Sequence, residues 1–359
     1  MAAQIILSLS ILVGLHEAGH LLAAKFFGMR VEQFSIGFPP KIFSFKWGET
    51  EYALSAIPLG GFVKISGMID ESMDTEAMKE EPKEYEFRSK PAWQRLIVML
   101  GGIIVNVITG VIIFICLTYV FGDTYISKDV VNEKGGITAY ELAENIGLKT
   151  GDKIIKINGA DFDDFQDIFE GRVFLADDAY YTIDRDGEVI DIPIPGNFIE
   201  NLNDEEAMAN FIFPRFESKI GTIAENSLAD RIGLQEGDWV VEISGTPVKY
   251  QDQVKEKLKG YYKDSILLKV QRGEELMVFN ESFSNDTIIG YIPLIDFEQS
   301  QVNYDLGTAI SKGTTRAFGI VFLQIKAFGK MFSGELSFTK SLSGPIGIAK
   351  AYGDNWDWQ

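Results

Sequence analysis

Residues 2–29 read AAQIILSLSILVGLHEAGHLLAAKFFGM. The segment carries no charge before His16, and it exceeds the ~20 residues that an α-helix needs to cross the hydrocarbon core of a bilayer. A secretory signal peptide would need a basic start and a cleavage site with small residues, and neither precedes His16. We therefore predict a first transmembrane helix over residues 1–29.

The only two histidines of the chain interrupt this segment as His16-Glu17-Ala18-Gly19-His20. Residues four apart share a face of a helix, so both imidazoles can bind one metal ion, and the HExxH pattern predicts zinc. Glu17 would lie beside the metal, where its carboxylate can take a proton from attacking water and pass it to the leaving amine. Solvated or core histidines are the alternative, but polar groups inside a membrane span are unfavourable without partners and a function.

A second apolar run, residues 96–121, contains no charged residue and predicts another transmembrane helix. Between the two runs, residues 30–95 predict a β-rich loop, with alternating strands at Phe43–Trp47 and Tyr52–Ile57. A break at Pro58–Gly61 follows, before Phe62–Ile65. Basic residues crowd the start of the second run at Arg88, Lys90 and Arg95. This excess predicts that residues 30–95 are cytoplasmic and that the region after the second helix lies outside.

An internal repeat follows the second run. The segment Ile146–Asp152 recurs as Ile232–Asp238, an offset of 86 residues, with Gly-Leu-x-x-Gly-Asp in both copies. The same offset relates Asp186-Gly187-Glu188 to Arg272-Gly273-Glu274. A constant offset predicts two copies of one small domain.

The repeat divides the rest of the chain into domains over residues 122–205 and 206–304. Residues 305–359 begin with apolar residues interrupted by lysines and an arginine, which is typical of an amphipathic helix on a bilayer surface.

The composition excludes several classes of protein. With 52 acidic and 33 basic residues, the formal net charge is -19, so we expect no nucleic acid partner. The single cysteine, Cys116, provides neither a disulfide framework nor a thiolate metal site.

Motifs spread over nearly the whole chain resemble the site-2 protease family of intramembrane zinc proteases, in its bacterial branch. The matching segments are HEAGH, Pro58–Lys64, Phe87–Arg95, Gly102–Asn106 and Ser343–Gly347. The repeat is similar to the two PDZ domains of that family. The implied fold is an α+β membrane protein with transmembrane helices, a cytoplasmic-side β-hairpin region and two tandem PDZ-like domains.

The resemblance implies an endopeptidase of the bacterial inner membrane, a multi-pass protein with its PDZ domains on the extracytoplasmic side. Its partners would be the lipid bilayer and single-span membrane proteins already trimmed by another protease, such as anti-sigma factors or remnant signal peptides. By match, His16 and His20 would bind Zn²⁺ and Glu17 would be the general base. The PDZ-like domains would exclude bulky untrimmed substrates, or would only shape the entrance.

The resemblance also indicates substrate-binding residues. Gly60, Gly61 and Phe62 match a membrane-associated hairpin that holds substrate as an added strand, although the local sequence also allows an ordinary turn there. Asn106 is expected to hydrogen-bond either substrate backbone or a neighbouring helix.

A catalytic zinc usually has three protein ligands. In the family the third is an aspartate of a Leu-Asp-Gly motif, which does not occur in these 359 residues, and Asp354 and Asp357 lie in a polar tail. We therefore expect the sequence to be a fragment whose continuation supplies this ligand and two further spans. A non-catalytic membrane-anchored PDZ scaffold and a secreted soluble zinc protease are the competing hypotheses.

Overall fold

The computed structural model of the protein describes residues 2–68, 81–202, 205–259, 265–282, 289–342 and 344. Residues 1–121 and 304–320 belong to one unit of the chain, and residues 122–303 and 321–341 belong to a second unit.

Two long apolar helices, α1 (Ala2–Phe26) and α2 (Ala92–Phe121), pack against each other in the first unit. In the described residues, Ala3–Phe26 and Ala92–Phe121 are long and apolar enough to cross a membrane. Little of either helix is buried by the rest of the protein. Both helices agree with the predicted spans, except that α2 begins four residues before the expected residue 96.

A β-ribbon connects the two helices. Its strands β1 (Val31–Trp47) and β2 (Thr50–Ile65) are antiparallel and turn at Gly48, which has a positive φ of 61°. The sequence predicted a break at Pro58–Gly61, and the chain turns back there within β2, because Glu51–Leu54 and Gly61–Lys64 both lie beside Gln33–Ile36. The turn considered for Gly60-Gly61 agrees with this reversal.

The two strands pair irregularly because each turns back within its own length. Gln33–Ile36 has partners both in Glu51–Leu54 and in Gly61–Lys64, while Phe43–Trp47 pairs with Thr50–Leu54. The ribbon therefore has four rows of backbone, with Gly61–Lys64 beside Gln33–Ile36 on one side of the ladder. The sequence did not predict the extended segment Val31–Phe38, which contains Gln33–Ile36.

The first repeat of the second unit has its own apolar core, which includes Phe165, Phe174, Tyr181 and Phe211. Its sheet has the order β5-β6-β7, and β4 pairs separately with β8. The bounds are β3 Asp123–Ile126, α3 Lys128–Glu133, β4 Ile137–Ala139, α4 Glu141–Asn145, β5 Lys153–Ile157, α5 Gly171–Phe174, β6 Tyr180–Arg185, β7 Glu188–Pro193, α6 Glu205–Ala209 and β8 Ile212–Pro214.

The boundary expected after residue 205 has to be moved. Phe211 and Ile212 are buried in the core of the first repeat, and β8 pairs with β4 of that repeat. A strand that returns to its domain from a distance leaves no local sign in the sequence.

The second repeat encloses a core of aliphatic side chains, among them Ile220, Leu234, Val240 and Val270. Its sheet has the order β11-β10-β12-β13, with β14 paired to β9. The bounds are β9 Ile220–Ile223, α7 Leu228–Ile232, β10 Trp239–Ile243, β11 Thr246–Pro247, α8 Gln251–Leu258, β12 Ser265–Arg272, β13 Glu275–Ser282, β14 Tyr291–Pro293 and β15 Gln299–Val302. The last strand, β15, pairs with β3.

The same ion pair occurs in both repeats. Arg185 donates to both carboxylate oxygens of buried Asp152 at 2.7 Å, and Arg272 does the same to buried Asp238 at 2.7 Å. In each repeat the arginine also donates to the carbonyl of the preceding Gly-Leu glycine. We call each of these pairs an Asp–Arg clasp.

The clasps correct the alignment of the repeats. The aspartates are 86 residues apart, but the arginines, each in the last pair of its hairpin, are 87 apart. The hairpins are therefore equivalent at an offset of 87, and the constant offset of 86 expected there is wrong by one residue.

The predicted amphipathic helix is α9 (Leu306–Ser333), and α10 (Phe338–Ser341) follows it. Its apolar side chains are largely exposed, for example Phe322 and Phe332. Ser343, Pro345–Gly347, Asp354 and Asp357 lie outside the described residues, so the lead-in to a further span stays a prediction.

Candidate active site

The two histidines of α1 converge on one point. Their Nε2 atoms are 3.2 Å apart, and their rings meet edge to face at 74°. Two imidazole nitrogens bound tetrahedrally to one zinc ion, each at about 2.0–2.1 Å, would be about 3.3 Å apart. His16 and His20 therefore have the geometry of two ligands of a single ion, as their spacing predicts.

His20 is held in a defined orientation by α2. Its Nδ1 lies 2.7 Å from the backbone carbonyl oxygen of Val98. A carbonyl oxygen only accepts hydrogen bonds, so Nδ1 carries the proton and Nε2 keeps its lone pair for a metal. Metal-binding histidines are commonly oriented in this way by their second nitrogen. The role of Val98 could not be found from sequence, because it depends on a backbone atom.

Glycines allow α2 to approach the motif closely. A Cβ atom at Gly19 would overlap the backbone of Gly101, and one at Gly101 would lie 2.7 Å from the carbonyl oxygen of Gly19. A Cβ atom at Gly102 would lie 2.6 Å from three atoms of the His16 ring. Small residues at helix contacts in membranes commonly permit such an approach. Gly101 sets the distance between the helices, and Gly102 makes room for the imidazole.

Asn106 lies one turn beyond these glycines and faces His16. Its side-chain amide nitrogen is 3.4 Å from His16 Nδ1. Of the two expectations for this residue, the structure shows the contact with a neighbouring helix.

The β-ribbon passes directly beside Glu17. A Cβ atom at Gly61 would lie 3.3 Å from Glu17 Cγ and 3.5 Å from Val13 Cγ1. About two turns earlier on α1, the Ser10 hydroxyl donates to the carbonyl oxygen of Pro58 at 2.8 Å. These contacts place β2 along the face of α1 that carries the general-base candidate.

The other two residues of the predicted substrate site have different surroundings. A Cβ atom at Gly60 would overlap the ring of Phe38, so this glycine makes room for an aromatic side chain of the ribbon. Phe62 is half-buried and pairs with Ser35. Gly61 is therefore the member of this segment that reaches the motif.

Part of the ribbon offers an edge for another strand. Among the described residues, the strand partners of Gly61–Lys64 are Gln33–Ile36 of β1, which lie along one of its two edges. Its opposite edge could accept an extended peptide as an added strand, and that peptide would run close to Glu17.

Within the part of the chain that the structure describes, no group of three or more His, Cys, Asp or Glu side chains could hold a metal ion. His16 and His20 provide two side chains of this kind, and Glu17 lies beside them. Asp354 and Asp357 lie outside the described residues. The third ligand, expected from a continuation of the chain, stays a prediction.

Known proteins are similar to this chain in sequence. The sequence profile described as Peptidase family M50 matches residues 4–359. A protein of Rickettsia conorii with the provisional name zinc metalloprotease is 33% identical over 240 residues, which cover 65% of this chain and 63% of that protein. A Vibrio cholerae protein with the same provisional name is 28% identical over 306 residues, covering 80% of this chain and 65% of that protein.

A third relative is the metalloprotease MmpA of Caulobacter vibrioides, 30% identical over 220 residues, which cover 57% of this chain and 54% of that protein. The chain thus spans less than two thirds of the length of each of these relatives. Among solved structures, the PDZ domain of HtrA3 aligns with 19% of this chain and 83% of its own at 24% identity, with a TM-score of 0.15. Because the family profile matches nearly the whole chain, the protein belongs to Peptidase family M50.

Proposed function

We propose that the protein is a zinc endopeptidase that cleaves peptide bonds inside the membrane-spanning segments of other proteins. The observation that carries this proposal is the convergence of His16 Nε2 and His20 Nε2 at 3.2 Å, with Glu17 between them in sequence on an apolar helix. The relatives named as metalloproteases, two of them as zinc metalloproteases, support the same chemistry.

His16 and His20 would hold the zinc ion, and their neighbours fit that role. The Val98 carbonyl leaves His20 Nε2 unprotonated, and Gly102 gives the His16 ring its space. When bound, zinc supplies Lewis acidity, which polarises the peptide carbonyl and makes water a stronger acid at neutral pH.

Glu17 would act as the general base and then as the general acid. Its carboxylate takes a proton from the attacking water and donates that proton to the nitrogen of the leaving amine. A helical substrate hides its peptide bonds, so the substrate must be extended before attack. The edge of Gly61–Lys64 is suited to hold such an extended segment beside Glu17.

The setting supports cleavage within a bilayer. Large apolar side chains cover the outer faces of α1 and α2, among them Leu12, Leu22 and Ile103, which are more than half exposed. An exposed apolar surface of this extent indicates contact with lipid or with another protein. We propose single-span membrane proteins already trimmed by another protease as the substrates, of the class of anti-sigma factors or remnant signal peptides.

The chemistry is tested with Glu17→Gln and His16→Ala in full-length protein, assayed on a pre-trimmed single-span substrate. We expect Glu17→Gln to lower the cleavage rate by about 100-fold or more, since general acid–base catalysis contributes about 10²–10⁴-fold, while bound zinc is kept. His16→Ala should lose the zinc as well. Glu49→Gln, an exposed carboxylate at the tip of the ribbon, is the control. Near-normal cleavage by Glu17→Gln would disprove the mechanism.

We also propose that the ribbon is cytoplasmic and that both repeats are extracytoplasmic, in the bacterial inner membrane. In a Cys116→Ser background, a membrane-impermeant thiol reagent applied from outside should label a cysteine placed at Asn226. It should not label one placed at Glu49. The reverse pattern would contradict this topology.

The repeats are proposed to act as PDZ-like domains that filter substrates by size. Deleting about residues 126–300 should then permit cleavage of untrimmed substrates. Unchanged discrimination after the deletion would leave the repeats without this role.

A further inference from the structure

We infer that the C-terminal end of α1 carries a binding site for the headgroup of an anionic phospholipid, formed by Lys25 and Arg30 beside the tip of the β-ribbon. The ligand class is a phosphodiester with one negative charge, as in a phosphoglycerol headgroup. The inference rests on the membrane placement of α1 and α2 that the proposed function includes, and it depends on neither zinc nor peptide cleavage.

The C-terminal end of α1 and the N-terminal end of α2 lie side by side. His20, in the last two turns of α1, contacts the backbone of Val98, in the first two turns of α2. Just beyond them, the Phe27 and Trp93 rings meet edge to face with their centroids 5.3 Å apart. Trp93 is more than half exposed, and exposed tryptophans are typical of the boundary between membrane and water. The residues that follow α1 are therefore at the depth of lipid headgroups.

A cavity of about 440 Å³ opens at this boundary. It is lined by Lys25 of α1, by Gly28–Val31 after the helix, by Trp47–Thr50 at the turn of the ribbon and by Tyr85. Cavities of about 300–1,000 Å³ accommodate small-molecule ligands, so this one has room for a headgroup. Its lining combines aromatic rings with cationic side chains.

Positive charge exceeds negative charge around the cavity. Lys25 and Arg30 line it, and Nζ of Lys90 would lie 4.0 Å from a Cβ atom at Gly28, another lining residue. The lining contains one carboxylate, Glu49, whose residue is exposed. The whole chain has a formal net charge of -19, so this local excess of cations is opposite to the general trend. Such a basic pocket at the end of membrane-spanning helices suits an anionic headgroup.

The guanidinium of Arg30 has a fixed position and an unused donor. Its Cζ lies 5.6 Å from the centre of the Tyr85 ring, and the backbone N–H of Arg30 donates to the Tyr85 carbonyl at 2.9 Å. Its Nε is buried and has no hydrogen-bond partner among the described residues. A buried N–H without an acceptor is unfavourable. A phosphate oxygen would provide a charged acceptor, and the planar fork of arginine matches phosphate in geometry.

Lys25 supplies a second cation on the helix itself. Its Nζ donates to the Tyr52 hydroxyl at 2.9 Å, which directs the ammonium group toward the ribbon. An ammonium group has three donors, so two remain for a phosphate. Lys25 and Arg30 therefore offer donors from two sides of the same cavity.

A lipid headgroup suits this position better than a free phosphate ion. Phe26, next to Lys25, and Trp47 in the lining are both largely exposed, so apolar surface adjoins the cations. The acyl chains of a bound lipid would cover such apolar surface, whereas inorganic phosphate would leave it in water. Anionic lipids are also concentrated at the cytoplasmic face, where basic residues beside membrane spans attract them.

The test measures lipid binding to full-length protein in detergent by native mass spectrometry. Phosphatidylglycerol is the anionic probe, and phosphatidylcholine is the zwitterionic control. We expect tighter binding of phosphatidylglycerol. Arg30→Gln and Lys25→Gln should each raise its Kd about five-fold, the effect of one cation near an anionic surface, without changing the Kd of phosphatidylcholine. Lys46→Gln, which removes an exposed cation of the ribbon outside the cavity, is the matched control.

Several outcomes would overturn the inference. Equal binding of the two lipids, or equal losses in Arg30→Gln and Lys46→Gln, would show that no specific headgroup site exists. Displacement of phosphatidylglycerol by excess inorganic phosphate would show a site for a free anion instead of a lipid. Circular dichroism verifies the fold of Arg30→Gln, and Lys25→Gln tests the site independently because Lys25 is exposed.

The lipid site and the proposed function fail separately. If the protein selects phosphatidylglycerol but neither binds zinc nor cleaves the pre-trimmed substrate, the proposed function fails and the lipid site stands. If it binds zinc and cleaves but does not distinguish the two lipids, the lipid site fails and the proposed function stands.

Discussion

In the first unit, α1 and α2 approach each other through Gly19 and Gly101, whereas each repeat of the second unit encloses an apolar core and a buried aspartate. The outer faces of the two helices stay exposed, and the apolar cluster of this unit, which includes Leu21, Val63 and Val98, is smaller than the cores of the repeats. At the motif, glycines and a few polar contacts determine how closely α1 and α2 approach each other. We therefore expect substitutions in the first unit to change function, and substitutions in the second to change stability.

The largest expected effect comes from Gly102→Val. The new side chain would displace the His16 ring, and a misplacement of about 1 Å can lower activity about 100-fold. We expect at least that loss of peptidase activity, together with weaker zinc binding, while the thermal unfolding of the repeats is unchanged. Gly110→Val on the same helix is the matched control, since a Cβ atom there meets no atom within 4 Å. Equal effects of the two substitutions would contradict this account of Gly102.

Next in size is the loss of an Asp–Arg clasp. Asp238→Asn removes the charge that holds Arg272 and weakens the acceptor for the backbone N–H of Gln235. Breaking a buried pair is destabilising by about 3–5 kcal/mol, but Arg272 is 27% exposed, so we expect about 2 kcal/mol. Chemical denaturation followed by Trp239 fluorescence measures the change.

The two repeats provide a matched comparison for the clasp. Asp152→Asn should destabilise the first repeat by a similar amount, because its ion pair has the same 2.7 Å distances. Glu274→Gln, an exposed carboxylate on the hairpin of the second repeat, should have little effect. Zinc affinity should stay unchanged in all three variants. A loss of zinc in Asp238→Asn would show that the two units are not independent in this respect.

Much of the site could be predicted from sequence because its main residues are local. His16 and His20 lie on one helical face by their spacing alone, and the structure brings their Nε2 atoms to 3.2 Å. The contacts with Val98 and Asn106 could not be predicted, since they depend on how α2 is rotated against α1. Neighbouring glycines, as in Gly101-Gly102, were the sequence signal for a close contact.

Parts of the fold were harder to predict for the same reason. Pro58 and the glycines after it indicated the reversal within β2, but the sequence did not show that a neighbouring backbone and the Phe38 ring fill the space of a side chain there. Only the repeated Gly-Asp of the clasps was visible, because the offset of 86 aligned Arg272 with Asp186 and not with Arg185. The ion pairs themselves were not visible in the sequence, since each depends on tertiary structure across more than 30 residues.

A smaller effect is expected for Gly61→Ala, which tests the ribbon beside Glu17. The Cβ atom would lie 2.7 Å from the carbonyl oxygen of Ser35 and 3.3 Å from Glu17 Cγ, so strand and carboxylate must both shift. We expect cleavage to fall by about 10-fold, less than for a displaced histidine. Zinc affinity should stay at its original value, which serves as the internal control. Unchanged cleavage would show that the Gly61 contact does not position Glu17.

The smallest expected effect concerns an ion pair in the second unit between buried Lys330 and an exposed carboxylate, Glu335. Lys330 donates to the Glu335 carboxylate at 2.8 Å, and with the Ser333 hydroxyl it lowers the pKa of Glu335 below its usual value. A carboxylate with a lowered pKa in the folded state stabilises the protein above its unfolded pKa of about 4.3, and this contribution is lost as the pH falls through the folded pKa. Glu335→Gln should therefore lower the melting temperature slightly at pH 7, and the difference should vanish in acid. Glu188→Gln, an exposed carboxylate of the first repeat, is the control. A difference that stays constant with pH would show that Glu335 acts through packing, and exposed charges would then add even less to the stability of this unit than expected.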